Sequence, residues 1–228
     1  MEFRKLAASH ISARSVCCVA VALTLVFAAT AVQAAPLTSS PPGFLAPVPQ
    51  EPDPLGSAVQ VAQTSLPFTG TGFSGVLVST VYRRPNDGDR LTFTYQLQNN
   101  ANSANVLHRL TVSSFAGFTT DASRPPDPLA ANTIAPTLVD RSTPDVVGFS
   151  FLDGFGAGPV RPGQQSSLLV VETDALTHTP STASVIDGTT ATVGTFAPLP
   201  AIPEPATWAL GIIGMASLIG IVRKKARS

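Results

Sequence analysis

The clearest two-residue alternation in the chain runs through Leu91-Thr92-Phe93-Thr94-Tyr95-Gln96-Leu97. Every second residue is large and apolar, and two threonines and a glutamine separate them. Successive side chains of a β-strand point to opposite faces of the sheet. The pattern therefore predicts a strand with one face on a core and the other toward water.

The sequence on both sides of this strand has the same texture of short strands and turns. Asn86-Asp87-Gly88-Asp89 is a strong turn signal, and Phe73–Tyr82 before it reads as a strand that is apolar on both faces. Between residues 59 and 200 no window keeps a helical apolar period over ten residues. Further strands are predicted at Val106–Val112, Val146–Phe151, Ser166–Glu172, Ala183–Ile186 and Ala191–Phe196, the last two forming a hairpin.

About seven short strands at regular spacing favour an antiparallel β-sandwich over residues 59–200, with a barrel as the alternative. The region 119–145 contains Arg124-Pro125-Pro126-Asp127-Pro128, and we expect it to be a long excursion without regular structure. The sequence thus predicts a mainly β ectodomain. We expect a signal helix before it and a transmembrane helix after it.

Residues 1–34 have the three parts of a secretory signal peptide. Basic residues precede an apolar run over Val16–Ala31, and Val32-Gln33-Ala34 places small residues before a cut between Ala34 and Ala35. An uncleaved membrane anchor is the alternative. The basic residues are Arg4, Lys5 and Arg14.

Both cysteines of the chain, Cys17 and Cys18, fall inside this segment. The mature chain would therefore have no disulfide, no reactive thiolate and no cysteine-ligated metal. Residues 35–58 follow and contain seven prolines among residues 36–54, which indicates an extended, poorly packed linker.

The C-terminal end has the pattern of a membrane segment. Ala206–Val222 is a run of 17 residues without a charge, just long enough for a helix to cross a thin hydrocarbon layer. A basic tail closes the chain and is typical of a stop-transfer signal that stays in the cytoplasm. Its basic residues are Arg223, Lys224, Lys225 and Arg227.

Pro203-Glu204-Pro205-Ala206-Thr207-Trp208, a short apolar helix and a basic tail together resemble the PEP-CTERM sorting signal. The resemblance covers residues 201–228. It implies processing near Pro203-Glu204-Pro205 by exosortase, a transpeptidase-like membrane protease of bacteria that make extracellular polysaccharide. Glu204 would be a recognition residue for that enzyme. A plain single-pass anchor is the alternative.

The resemblance also extends weakly into the central domain. Leu91-Thr92-Phe93-Thr94-Tyr95 and Ser184-Val185-Ile186-Asp187-Gly188 are similar to phrases in ectodomains of PEP-CTERM proteins that have no assigned activity. This similarity implies no site.

The net charge of the ectodomain indicates which classes of binding partner to expect. Residues 35–202 hold seven arginines and twelve acidic residues, a formal charge of −5. We therefore expect no binding to nucleic acid, which needs a basic surface. Polysaccharide stays open as a partner, although aromatic side chains for stacking on sugars are few.

The candidate sites in the ectodomain are sparse. Asp87 and Asp89 form a tentative calcium pair, with a hairpin turn as the alternative reading. Glu172 and Asp174, two residues apart, are the carboxylates from which a hydrolase would be built. His108 in a strand and His178 in a loop have no partner ligands at zinc spacing. We predict no catalytic residue, no confident metal site and no cofactor.

From these features we expect an exported, non-enzymatic protein of the cell envelope or extracellular matrix. It would be held first by its C-terminal helix, then processed by an exosortase-type protease, with a structural or adhesive role linked to exopolysaccharide. A polysaccharide- or calcium-binding module is the alternative, and a hydrolase is a further one.

Overall fold

The computed structural model describes residues 35–37, 44–45, 48–49, 55–126, 128–154 and 158–199 of the 228-residue chain. The predicted signal helix and transmembrane helix lie outside these residues. Within them, no helix is long and apolar enough to cross a membrane.

The described chain forms two β-sheets, which confirms the prediction of a mainly β protein. Among the described residues, the helical structure is limited to one 3-10 turn, Pro85–Asp87. The strands are β1 (Ala35–Pro36), β2 (Phe44–Leu45), β3 (Val48–Pro49), β4 (Val59–Gly70), β5 (Phe73–Arg84), β6 (Arg90–Asn99), β7 (Arg109–Val112), β8 (Thr120–Arg124), β9 (Thr133–Ile134), β10 (Leu138–Thr143), β11 (Val146–Ser150), β12 (Gln165–Ser166), β13 (Leu169–Thr173), β14 (His178–Asp187) and β15 (Thr189–Pro198).

The first sheet is arranged around β6. On one side β6 pairs with β5, and β5 pairs with β4. On the other side β6 pairs with β13 and, near its end, with β12. β13 then pairs with β8, and β12 pairs in parallel with β9.

The second sheet has the order β15-β14-β7-β11-β10-β2. The β14–β15 hairpin turns at Gly188, whose φ of 64° is in the left-handed region that glycine adopts without strain. The hairpin predicted from Ala183–Ile186 and Ala191–Phe196 is thereby confirmed.

The core lies between the two sheets and is filled from both. Leu91, Phe93, Tyr95 and Leu97 of β6 are fully buried, as the alternation predicted, and Leu110 and Phe149 meet them from the second sheet. A hydrogen bond also joins the sheets, since the Tyr95 hydroxyl donates to the carbonyl of Phe196 at 2.9 Å. The β-sandwich architecture therefore fits the structure.

The expectation that 119–145 lacks regular structure was wrong. This region contains β8, β9 and β10, and β8 pairs with β13 over four residues. Asp121 and Ser123 have low strand propensity, so the local sequence does not signal β8. Its pairing with β13, about 50 residues later in the chain, is what forms the strand.

The described residues of the proline-rich segment 35–58 include three short strands on the edges of both sheets. β1 and β3 occupy successive parts of the β8 edge, while β2 pairs with β10 of the second sheet. Leu37 is 4% exposed, belongs to the core, and donates its N–H to the carbonyl of Thr120 at 2.8 Å. This part of the segment therefore closes sheet edges.

Pro36 fits this edge because of its position in the ladder. The adjacent Leu37 makes the backbone hydrogen bond to β8, and Pro36 lies opposite Asp121. Hydrogen-bonding positions alternate along an antiparallel pair, so Pro36 falls where no N–H is required.

A buried charged group lies on the face of the second sheet away from the core. Arg109 Nη2 donates to Asp140 Oδ1 at 2.9 Å, and its Nη1 lies 2.7 Å from Oδ2 without a hydrogen-bonding angle there. Nη1 also donates to Ser150 Oγ at 2.6 Å. Asp140 is 1% exposed, so Arg109 supplies the charge that this buried carboxylate needs.

Candidate functional site

Two polar depressions lie at opposite ends of β6, separated along that strand by roughly 25 Å. The first, which we call the acidic cleft, has a volume of about 180 Å³. Its lining comes from the ends of β5, β6, β8 and β13, and comprises Arg84, Asp87, Arg90, Thr119, Asp121, Glu172, Thr173 and Asp174.

Arg84 is the central group of the acidic cleft. Its Nη1 lies 3.0 Å from Asp87 Oδ2 and 3.1 Å from Glu172 Oε2, and its Nη2 donates to the carbonyl of Thr173 at 2.9 Å. Arg90 Nη1 lies 3.4 Å from the other oxygen of Asp87. The Asp87 carboxylate is therefore shared between two guanidinium groups.

The remaining carboxylates come from two neighbouring strands. Asp121 of β8 lies directly opposite Glu172 of β13 in the ladder, and Asp174 Oδ1 accepts a hydrogen bond from the Thr119 N–H at 3.0 Å. Burial raises the pKa of Asp121, and the nearby Arg84 opposes this rise. The four carboxylates and two guanidinium groups leave a local excess of negative charge.

The acidic cleft brings together three of the residues that the sequence singled out and leaves one outside. Asp87, Glu172 and Asp174 line it, whereas Asp89 does not. Asp89 has a φ of 61°, and its N–H donates to the carbonyl of Arg84, which is the geometry of a chain reversal. Among the described residues, no group of three or more histidine, cysteine, aspartate or glutamate side chains is arranged to hold a metal ion. The calcium pair stays a prediction.

Sequence reasoning missed Arg84 and Asp121 as members of this cleft. Arg84 lies two residues beyond the predicted strand Phe73–Tyr82, and nothing local indicates that it reaches residues about 90 positions later. Asp121 belongs to β8, a strand that was not predicted. The pairings of β8 and β13 are needed to find either residue.

The second depression, which we call the amide groove, has a volume of about 400 Å³. None of its lining residues carries an ionisable side chain. Six of the nine are asparagine or glutamine, and the lining comprises Gln98, Asn99, Asn100, Ala101, Ala131, Asn132, Gly163, Gln164 and Gln165.

Three separate chain segments form the amide groove. Gln165 of β12 lies opposite Gln98 of β6 and beside Thr133 of β9. The turns that precede β9 and β12 are fixed by backbone hydrogen bonds, including one from the Gln165 N–H to the carbonyl of Asn132 at 3.0 Å. Asn132 has a φ of 61°, a conformation that asparagine adopts more readily than most residues.

Several amides of the groove keep unused hydrogen-bonding capacity. Within the described part of the chain, the side chains of Gln98 and Asn132 make no hydrogen bond. Gln164 uses only its Oε1, which accepts from the Arg161 N–H at 2.9 Å. Sequence reasoning did not find this groove, because it forms only when three distant segments meet.

The two histidines differ from expectation in secondary structure, and His108 lies just before β7 rather than within a strand. His108 is 39% exposed, and its Nδ1 lies 2.8 Å from Asp187 and its Nε2 4.0 Å from Asp153. His178 was placed in a loop but begins β14, where its ring packs edge-on against Phe196 at 5.4 Å between centroids.

The predicted cleavage and sorting residues mostly lie beyond the described chain. Ala34, Pro203, Glu204, Pro205 and the basic tail Arg223, Lys224, Lys225 and Arg227 are outside it, whereas Ala35 is the first residue of β1. Comparison with protein-family models, curated proteins and solved structures found no match to this chain. The fold therefore defines only a structural class. The protein is mainly β, with two packed sheets and a polar depression at each end of β6.

Proposed function

We propose that this chain is an exported protein of the cell envelope or extracellular matrix with a structural or adhesive role linked to exopolysaccharide. Residues 206–222 anchor it in the membrane until an exosortase-type protease acts near Pro203-Glu204-Pro205. The observation that carries the proposal is the sequence of residues 203–228, in which the motif, the apolar run and the basic tail stand in order.

The described fold ends a few residues before Pro203-Glu204-Pro205. β15 ends at Pro198, and Leu199 is still held, since its N–H donates to the Thr177 carbonyl at 3.0 Å and its own carbonyl accepts from Thr177 Oγ1 at 3.0 Å. Pro203 is four residues further on, which allows a reach of roughly 14 Å. The sandwich is therefore tethered closely to the motif.

The contacts within the acidic cleft favour a structural role over catalysis. Arg84 binds Asp87, Glu172 and a backbone carbonyl at the same time, so two of the cleft's four carboxylates are already paired with a guanidinium group. A catalytic carboxylate pair would instead have to face a substrate across open space. A hydrolase built on Glu172 or Asp174 remains the further alternative.

Mass spectrometry of the mature protein from the envelope and medium of its native host tests the proposal. We expect an N-terminus at Ala35 and a C-terminus near Pro203-Glu204-Pro205. Glu204→Gln should leave a chain that ends at Ser228, because the processing enzyme reads that carboxylate. Glu51→Gln, the matched control beside another proline, should be processed normally.

A natural chain that keeps Ser228 would contradict the sorting step and leave a simple membrane anchor. Equal processing of the Glu204→Gln variant and the natural chain would contradict the role of Glu204. The second candidate function is a polysaccharide- or calcium-binding module, and the amide groove favours the first of these ligands.

A further inference from the structure

We infer that the amide groove is a binding site for a neutral, hydroxyl-rich glycan. The inference deepens the polysaccharide-binding candidate above, on which it rests. It assigns the binding to one place in the fold and to one class of sugar, those without charged groups.

The lining of the groove selects the chemical class of ligand. A carboxamide both donates and accepts hydrogen bonds, and so does a hydroxyl group, so neighbouring amides match neighbouring sugar hydroxyls without charge on either side. In the described chain the side chains of Gln98 and Asn132 and the Nε2 of Gln164 keep this capacity, within about 400 Å³, a size typical of small-ligand sites. Because no lining side chain is cationic, the groove provides no charged partner for a carboxylated or sulfated sugar, whose desolvation would go uncompensated.

The same lining disfavours the other polymeric ligands. An extended peptide needs pockets for its alternating side chains, but the only apolar side chains here are the methyl groups of Ala101 and Ala131. A nucleic acid needs cations for its phosphates, and the groove has none among its lining residues.

The shape of the groove is fixed before a ligand arrives. The Asn99 N–H donates to the Gln164 carbonyl at 2.9 Å, and the Gly163 N–H donates to the Asn99 carbonyl at 3.0 Å, which joins two of the lining segments. The Asn99 side chain, 3% exposed, donates to the carbonyls of Asn105 and Val160. A preformed site loses less entropy on binding, although without aromatic stacking we expect dissociation constants of about 1 mM.

Saturation-transfer difference NMR on the full chain, in a detergent without a sugar head group, tests the inference. The probes are cellotetraose and isomaltotetraose as neutral oligosaccharides, tetragalacturonate as an anionic one, and a tetra-alanine peptide. We expect saturation of the neutral probes only.

The variant for this experiment is Gln98→Ala combined with Asn132→Gly. Glycine tolerates the φ of 61° at position 132, and neither side chain makes a hydrogen bond in the described residues, so the fold should persist. Binding of the neutral probes should weaken about tenfold, the loss expected for two hydrogen bonds. The matched control is Gln60→Ala on the exposed edge strand β4, which should bind normally.

Failure of both neutral probes to bind, or stronger binding of tetragalacturonate or the peptide, would overturn the inference. So would equal binding by the double variant and the natural chain. The double variant should still be processed near Pro203-Glu204-Pro205. If the double variant binds glycan more weakly but is processed normally, the result supports the groove as the binding site. If the natural chain is not processed, only the sorting proposal is contradicted.

Discussion

Gly148 is a glycine because the guanidinium of Arg109 occupies the space that a side chain would need. A Cβ at this position would collide with Arg109 and come within 3.0 Å of Asp140 Oδ2. Arg109 cannot move away freely, since it is the partner of a carboxylate that is 1% exposed. One missing side chain thus makes a buried ion pair possible.

We therefore expect Gly148→Ala to lower the free energy of unfolding by about 2–4 kcal/mol, through overpacking and loss of the Arg109–Asp140 contact. Urea unfolding followed by circular dichroism measures the change. Gly194→Ala is the matched control, since its Cβ would meet only the end of the half-exposed Leu66 side chain. Equal stability of the two variants would show that Arg109 is not fixed by Asp140.

Among the elements, the short strands of the proline-rich segment 35–58, which we call the leader, pair with partners far along the chain. β1 and β3 supply the outer neighbours of β8, and β2 does the same for β10. An unpaired strand edge presents free N–H and C=O groups to other chains. The leader therefore protects an edge of each sheet.

We expect Leu37→Ala to destabilise the protein by about 2–5 kcal/mol, the usual cost of emptying a buried leucine site. Leu176→Ala, at a position that is 58% exposed, should change stability by less than about 0.5 kcal/mol. Thermal unfolding of both variants checks the comparison. If the leader did not pack on the sandwich, Leu37→Ala and Leu176→Ala would both change stability only slightly.

These elements also show how far the sequence predicts the structure. β6 could be predicted because its four buried apolar residues alternate with polar ones along the chain. They are Leu91, Phe93, Tyr95 and Leu97. β8 and the leader strands could not, since Asp121 and Pro36 oppose a strand locally and only their partners form the ladder. The acidic cleft and the amide groove each combine segments about 30 or more residues apart, so the sequence singled out only some members of the cleft and did not predict either depression.

At the scale of the whole molecule, Tyr95 connects the two sheets through a polar contact inside the core. The side chain is fully buried, and its hydroxyl reaches the carbonyl of Phe196 in the opposite sheet. Burial raises the pKa of the Tyr95 phenol well above its ordinary value. The folded protein therefore keeps this proton when the unfolded chain would lose it.

Tyr95→Phe should lower the free energy of unfolding by about 1 kcal/mol near pH 7, because the Phe196 carbonyl loses its donor. Above about pH 10 the unfolded chain ionises at Tyr95 and gains stability that the folded chain does not share. The natural protein should thus lose stability there and the difference from the variant should shrink. Unfolding curves of both proteins from about pH 7 to above pH 10 measure this difference in stability.

The control for this prediction is Tyr82→Phe, since Tyr82 is half-buried on the outer face and its hydroxyl makes no hydrogen bond within the described chain. Its effect at neutral pH should stay below about 0.5 kcal/mol. A constant difference between Tyr95→Phe and the natural protein at every pH would contradict the buried phenol.

The leader strands also determine the order in which the protein can assemble. During synthesis the leader emerges before its partners in β8 and β10, which follow about 75 to 95 residues later. The leader strands cannot pair until β8 and β10 have been synthesised, and contacts between residues so distant in the chain form slowly. Both edges therefore stay open until late in folding, and crowding of newly made chains during that interval favours pairing between molecules over closure within one.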